Sequence, residues 1–168
     1  MTIQQGDRIP YSEHFTILPD EGYDIHNLDA EFLFKGKKVI LFGLPGAFTT
    51  ICSNKHLPEY ATLYDTFKSK GIDAIYCTAV NDPFVMRAWS QNYDIENKVV
   101  VISDGDGSFH KKIGLTQTIP ALGERSLRYS MYVDDGVVRV LNIEEPGPSS
   151  YKISGPNHML KDLEQLGI

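Results

Sequence analysis

Cys52 closes the run Pro45-Gly46-Ala47-Phe48-Thr49-Thr50-Ile51-Cys52 and is the residue of this chain best placed to do chemistry. The segment before it, Lys38-Val39-Ile40-Leu41-Phe42-Gly43-Leu44, is apolar after its first residue and reads as a buried strand. The segment from Ser53 to about Ser69 reads as one helix. A sulfur at that junction faces the unpaired N–H groups and the positive dipole end of a helix. Both favour the thiolate, which is the nucleophilic form of cysteine. The same position also suits an inert residue, because free cysteines are usually buried. Thr49, three residues upstream, can turn its hydroxyl toward the sulfur or toward an oxygen bound beside it. Pro45, Gly46 and Pro58 restrain the loop and the early helix.

Other candidates are weighed against this one. Cys77 lies inside the apolar run Ile72–Val80 and reads as a core residue. A disulfide with Cys52 would need Cα atoms within about 7 Å, which the sequence separation neither demands nor forbids. His56 follows Cys52 by four residues and shares its helix face. It could serve as a base, a zinc ligand or a structural histidine. No second Cys/His pair stands at ligand spacing, so no metal is expected. Arg128 opens the run Tyr129–Val133 and reads as a strand-end residue whose removal costs little packing. Its planar fork suits a thiolate and polar oxygens. Arg125, three residues earlier, stands as its natural comparison. Asp104-Gly105-Asp106-Gly107 looks like part of a calcium loop, but Leu115 occupies the twelfth place, where a glutamate is needed. It reads as a turn.

These residues require a frame. Residues 1–30 read as an irregular or hairpin lead-in, with strand character over His14–Leu18 and a turn at Pro19–Gly22. Asn27 or Asp29 can cap a short helix running through Phe34, which Gly36 would end. Gly71 stops the Cys52 helix. Asn81-Asp82-Pro83 begins another, whose apolar face is Phe84, Val85, Ala88 and Trp89. Val99–Ser103 is a third buried strand. Tyr129–Val133 and Val137–Leu141 flank Asp134-Asp135-Gly136 as a hairpin, and His158–Leu166 reads as a closing helix. Strand, helix, strand, helix, strand, hairpin, helix predicts an α/β fold with a central mixed sheet flanked by helices, thioredoxin-like in its order.

The 168 residues fit a single domain, 1–168. A formal net charge of −6 argues against nucleic acid or an anionic membrane as partner. No apolar segment approaches the ~20 residues that span a bilayer. Met1–Asp7 shows no basic region followed by an apolar stretch, so no secretory signal is expected. Two cysteines are too few for a disulfide scaffold, and a reducing, cytoplasmic setting is expected.

Taken together, the motifs resemble the peroxiredoxin family, in particular its peroxiredoxin-5-like (type II) branch. The family signature is proline, three residues, threonine or serine, two residues, cysteine, and Pro45, Thr49 and Cys52 match it. The resemblance extends through Lys37–Gly43, His56-Leu57-Pro58, Asn81–Met86 with Ala88-Trp89, Gly123 with Arg125-Ser126 and Arg128-Tyr129, and Asp135–Val138. It departs at Thr50, Ile51 and Glu59, and this sequence has no cysteine after Cys77. The resemblance implies a thioredoxin-like fold and reduction of hydrogen peroxide and organic hydroperoxides without metal, haem or other cofactor. It gives the peroxidatic role to Cys52, with Thr49, Arg128 and Pro45 around it. It implies an external thiol reductant, either glutathione, glutaredoxin or thioredoxin, and a homodimer that meets around Phe48 and Asp82-Pro83-Phe84. A thiol–disulfide oxidoreductase would normally need Cys-x-x-Cys, whereas Cys52 is followed by Ser53-Asn54-Lys55.

Overall fold

The lead-in folds as a hairpin of β1 (His14–Ile17) and β2 (His26–Asp29), and α1 (Ala30–Phe34) follows directly. A computed structural model describes residues 1–93, 95 and 97–168. The three apolar runs are β3 (Lys38–Gly43), β4 (Ala74–Ala79) and β5 (Val100–Ser103), paired in parallel. Between β3 and β4 lie α2 (Leu57–Thr62) and α3 (Tyr64–Ser69); α4 (Pro83–Gln91) joins β4 to β5. Next come α5 (Ser108–Ile113), β6 (Thr116–Ile119) and β7 (Gly123–Ser126). The chain closes with β8 (Tyr129–Asp134), β9 (Val137–Ile143) and α6 (Pro156–Gln165). Seven strands form one mixed sheet in the order β2-β1-β5-β4-β3-β8-β9, while β6 and β7 pair apart from it. With helices packed against it, this is the thioredoxin-like α/β architecture expected.

Side chains alternate across β3 and divide the core in two. Ile40 and Phe42 join Cys52, Leu57, Tyr60, Cys77, Trp89, Met159 and Leu163 in one cluster. Val39 and Leu41 join Phe15, Phe34, Tyr76, Phe109 and Met131 in the other. Register then places the site. In the antiparallel pair β3–β8, Gly43 stands opposite Tyr129, so the end of β3 that leads into the Pro45 loop meets the start of β8, which Arg128 precedes. A Cβ at Gly43 would overlap the Tyr129 ring, so this approach needs glycine.

Three expectations change. The helix after Cys52 is not one rod: Cys52–His56 winds as a π-turn, with the Leu57 N–H donating to the Cys52 carbonyl, and Leu63 (φ −97°, ψ 13°) separates α2 from α3. In α4, Asp82 caps Val85 as expected (2.9 Å), but the buried face is Pro83, Met86 and Trp89. Phe84 is 45% exposed and Ala88 faces outward. The register of packing against β1 and β5, not the count of apolar residues, selects that face. Finally, α5 and the β6–β7 hairpin give no apolar run in the sequence: they are short, and α5 is bounded by Gly107 and Gly114 in the left-handed region.

Candidate functional site

The Pro45–Ile51 loop carries Cys52 into the first turn of its helix, where the sulfur is fully buried. Three contacts hold that loop. The Ala47 N–H donates to Asn81 Oδ1 (2.9 Å), Arg125 Nη1 donates to the Pro45 carbonyl (3.2 Å), and Thr49 Oγ1 donates to the Gly46 carbonyl (2.7 Å). The Thr49 hydroxyl proton therefore turns back into the loop rather than to the sulfur, and the oxygen's lone pairs remain to accept. Behind Cys52, the Trp89 indole donates to Ser53 Oγ (2.9 Å), fixing the π-turn against α4.

Arg128 is only 1% exposed, a correction to its reading as a strand-end residue with little packing. The β3–β8 register draws it inward. Its Nη2 donates to Cys52 Sγ (3.2 Å) and to the Pro148 carbonyl (3.0 Å), and Nη1 donates to His56 Nδ1 (3.1 Å). His56 Nε2 lies 3.1 Å from the Ser154 carbonyl. A carbonyl can only accept, so Nε2 carries the proton and Nδ1 receives the guanidinium. Burial, and next the Arg128 charge, hold the His56 pKa well below its ordinary value, against the opposing Ser154 bond. Both ring nitrogens are thus engaged, and the structural reading of His56 prevails over base or zinc ligand. Among the described residues no group of three or more His, Cys, Asp or Glu side chains is arranged to hold a metal ion.

Cys77 sits within β4, fully buried, and both cysteines are free. Burial first, then the proximity of Cys52, raises the Cys77 pKa well above its ordinary value, with Arg128 opposing. It is the core residue expected. Asp104 is no calcium ligand here: it accepts from the Phe109 and His110 N–H groups and contacts His110 Nδ1 (2.7 Å). The sequence reading missed the segment 144–155, which supplies the Pro148 and Ser154 carbonyls. Carbonyl groups belong to every residue type and leave no sequence signal.

Arg125 is not the inert comparison expected, because it braces the loop before Cys52. Its half-buried guanidinium also donates from Nε to the Leu122 carbonyl (3.1 Å). Arg125→Ala is expected to cost about 1 kcal/mol of stability. It should slow cysteine oxidation roughly threefold to tenfold through loop misplacement. Thermal denaturation and stopped-flow oxidation check both; a variant indistinguishable from the parent would show that the brace is dispensable.

A thioredoxin-like sheet whose first crossover presents a buried cysteine to a buried arginine defines a thiol-based redox protein. Residues 4–155 match the Redoxin family. The chain is 46% identical over 133 residues to the mitochondrial peroxiredoxin-2F of Arabidopsis thaliana, covering 78% of this chain and 66% of that protein. It is 43% identical to the chloroplastic peroxiredoxin-2E of the same plant, covering 96% and 70%. Two solved structures align closely. Reduced Prx3 from Vibrio vulnificus in complex with hydrogen peroxide has a TM-score of 0.88 at 40% identity, over 96% of this chain and 99% of that one. Peroxiredoxin 5 from Alvinella pompejana has 0.81 at 34% identity, over 97% and 99%.

The chain belongs to the Redoxin family and is a peroxiredoxin of the peroxiredoxin-5-like branch. It is a thiol-dependent peroxidase, which reduces hydroperoxides through a peroxidatic cysteine at the expense of a thiol reductant.

The cytoplasmic expectation is corrected by these relatives, which are themselves mitochondrial and chloroplastic proteins. Free cysteines mark a reducing milieu, not a particular compartment.

Proposed function

We propose that Cys52 is the peroxidatic cysteine, that Arg128, Thr49 and Pro45 form its working surroundings, and that residues 1–168 act as one domain. The observation that carries this is the 3.2 Å contact from Arg128 Nη2 to Cys52 Sγ between two buried side chains. The guanidinium offers a fixed positive charge to the thiolate and to the oxygens of a bound peroxide. Cys52 Sγ attacks one peroxide oxygen as the O–O bond breaks. Two electrons pass from sulfur to peroxide, and the leaving oxygen departs, after protonation, as alcohol or water. Thr49 Oγ1, with its proton committed to Gly46, accepts a hydrogen bond from the incoming hydroperoxide. Pro45 stiffens the loop and offers its carbonyl to Arg125. No prosthetic group enters these steps.

An incoming thiol then displaces water from the sulfenic acid, and a second thiol releases Cys52 from the mixed disulfide. Cys77 is buried in β4 with its thiol held protonated, so the resolving thiol comes from outside. Glutathione, with glutaredoxin, is the reductant proposed, ahead of thioredoxin, because a small thiol reaches a buried sulfur more easily and the exposed Lys55 lies nearby to attract its carboxylates. We also propose a homodimer. Phe48 (54% exposed, φ 65°) projects from the loop before Cys52 and Phe84 (45%) from the first turn of α4, and the Ala47–Asn81 hydrogen bond ties that loop to the segment that enters α4. Two exposed aromatics on coupled segments suit a self-complementary contact.

The test is direct. Reduced protein is treated with one equivalent of hydrogen peroxide in the presence of dimedone, and the adduct is mapped by mass spectrometry. Dimedone on Cys52 is expected; dimedone on Cys77 alone would overturn the assignment, and a Cys52–Cys77 disulfide in its absence would overturn the reading of Cys77 as a core residue with the resolving thiol coming from outside. Peroxide consumption measured separately with glutathione/glutaredoxin and with thioredoxin then decides the reductant.

A further inference from the structure

The Arg128–His56 pair does not hold itself in place. Its outer contacts end on two backbone carbonyls of the segment that joins β9 to α6: Arg128 Nη2 donates to Pro148, and His56 Nε2 to Ser154. The Ser154 carbonyl does double duty, accepting from His56 Nε2 (3.1 Å) and from the Tyr60 hydroxyl (2.8 Å). That segment is not helical or stranded, so something else must aim its carbonyls. Glu144 stands at its start, only 4% exposed. One carboxylate oxygen, Oε2, accepts from the N–H groups of Lys152 (2.8 Å), Ile153 (2.9 Å) and Ser154 (2.8 Å) and from Ser154 Oγ (2.7 Å). Its own N–H donates to the Arg128 carbonyl (2.9 Å), which ties it to the strand start that bears the arginine.

We propose that Glu144 is a positioning residue of the peroxidatic site, acting through the Ser154 carbonyl to hold His56 as the acceptor of Arg128 Nη1, and so to aim Nη2 at Cys52. The inference rests on the reading of Cys52 and Arg128 given above. Its physical basis is the direction of each bond. Three consecutive N–H groups gathered on one oxygen curl the 152–154 backbone into a nest. The Ser154 carbonyl is then presented to His56, which demands the Nε2–H tautomer and leaves Nδ1 as a lone pair for the guanidinium. Charge-assisted bonds of this kind are the strong members of a buried network. Without the carboxylate, three N–H groups lose their acceptor, the carbonyl swings, and His56 is free to present a proton to Arg128 instead. A guanidinium and an N–H repel, and Nη2 leaves the sulfur. The charged form is the one favoured: burial would raise the Glu144 pKa, and the four hydrogen bonds outweigh it and lower it.

The experiment compares Glu144→Ala, Glu144→Asp, Glu144→Gln, His56→Phe and the double variant Glu144→Ala/His56→Phe in the full chain. Folding of each is checked by circular dichroism. Two rates are read: stopped-flow oxidation by hydrogen peroxide, and the pH profile of Cys52 alkylation mapped by mass spectrometry. Glu144→Ala is expected to slow oxidation about 10²-fold and to move the alkylation profile to higher pH, as small misplacements of a catalytic group do. Glu144→Gln, whose amide oxygen can still accept, should recover most of the loss. Glu144→Asp withdraws the acceptor by one methylene, should fall between, and carries the comparison if alanine prevents folding. The double variant should match His56→Phe alone, because both act on one element. Unchanged rates in folded Glu144→Ala or Glu144→Asp would overturn the proposal, as would losses that multiply in the double variant. The alkylation profile reports the hold of Arg128 on the sulfur whether or not peroxide attacks there. Failure of the site reading shows separately, as dimedone on Cys77 instead of Cys52.

Discussion

Cys52→Ser is expected to abolish peroxide turnover while leaving the protein folded. A serine hydroxyl is a poor nucleophile at its own pKa, whereas a thiol is the least handicapped of the side-chain nucleophiles. Nothing in the site can serve as a base for a serine: His56 is neutral, with Nδ1 engaged by Arg128 and Nε2 by Ser154. Nor can Cys77 substitute, since it is buried in β4 and its thiol is pushed away from ionisation. Folding should survive, because Arg128 Nη2 can donate to a hydroxyl oxygen where it now donates to Sγ. The stability change should stay near 1 kcal/mol. Peroxide consumption with a saturating thiol reductant, on variant protein of native circular dichroism, is the measurement. Turnover persisting above the uncatalysed rate would remove Cys52 from the chemistry.

Arg128→Ala is expected to lose both rate and stability. Truncation takes away the donor on Cys52 Sγ, and loss of one such preorganised donor costs about 10²–10³ in rate. It also empties the volume of one of the largest fully buried side chains and orphans His56 Nδ1 and the Pro148 carbonyl. A stability loss on the order of 2–5 kcal/mol follows. Arg128→Lys separates the two effects. It keeps the charge but cannot reach Cys52, His56 and Pro148 at once, because an ammonium lacks the planar fork. It should fold better than the alanine variant and remain slow. Stopped-flow oxidation and thermal denaturation of both variants decide. Oxidation at the parent rate in either folded variant would exclude Arg128 from the mechanism, and an unchanged melting temperature in Arg128→Ala would contradict its burial.

The linear chain already carried what depends on near neighbours. The apolar runs of β3, β4 and β5, the Asp82–Pro83 cap of α4 and the Asp135-Gly136 turn are local patterns, and each formed where its residues placed it. Cys52 was legible for the same reason: Pro45, Thr49 and the strand before them lie within a few residues. The tertiary structure alone decided everything that joins distant segments. Pairing of β3 with β8 carries Arg128 to Cys52 across 76 positions and turns a strand-end arginine into a buried one. The fold also converts Arg125 from bystander to loop brace, chooses Met86 and Trp89 over Phe84 and Ala88 as the inner face of α4, and spends the Thr49 proton on Gly46. The Glu144–Ser154–His56 chain was invisible beforehand because backbone groups make its decisive contacts. Side-chain type governs propensity and periodicity over a few residues, but the direction of a carbonyl is set only when the strands and helices on either side of it have packed.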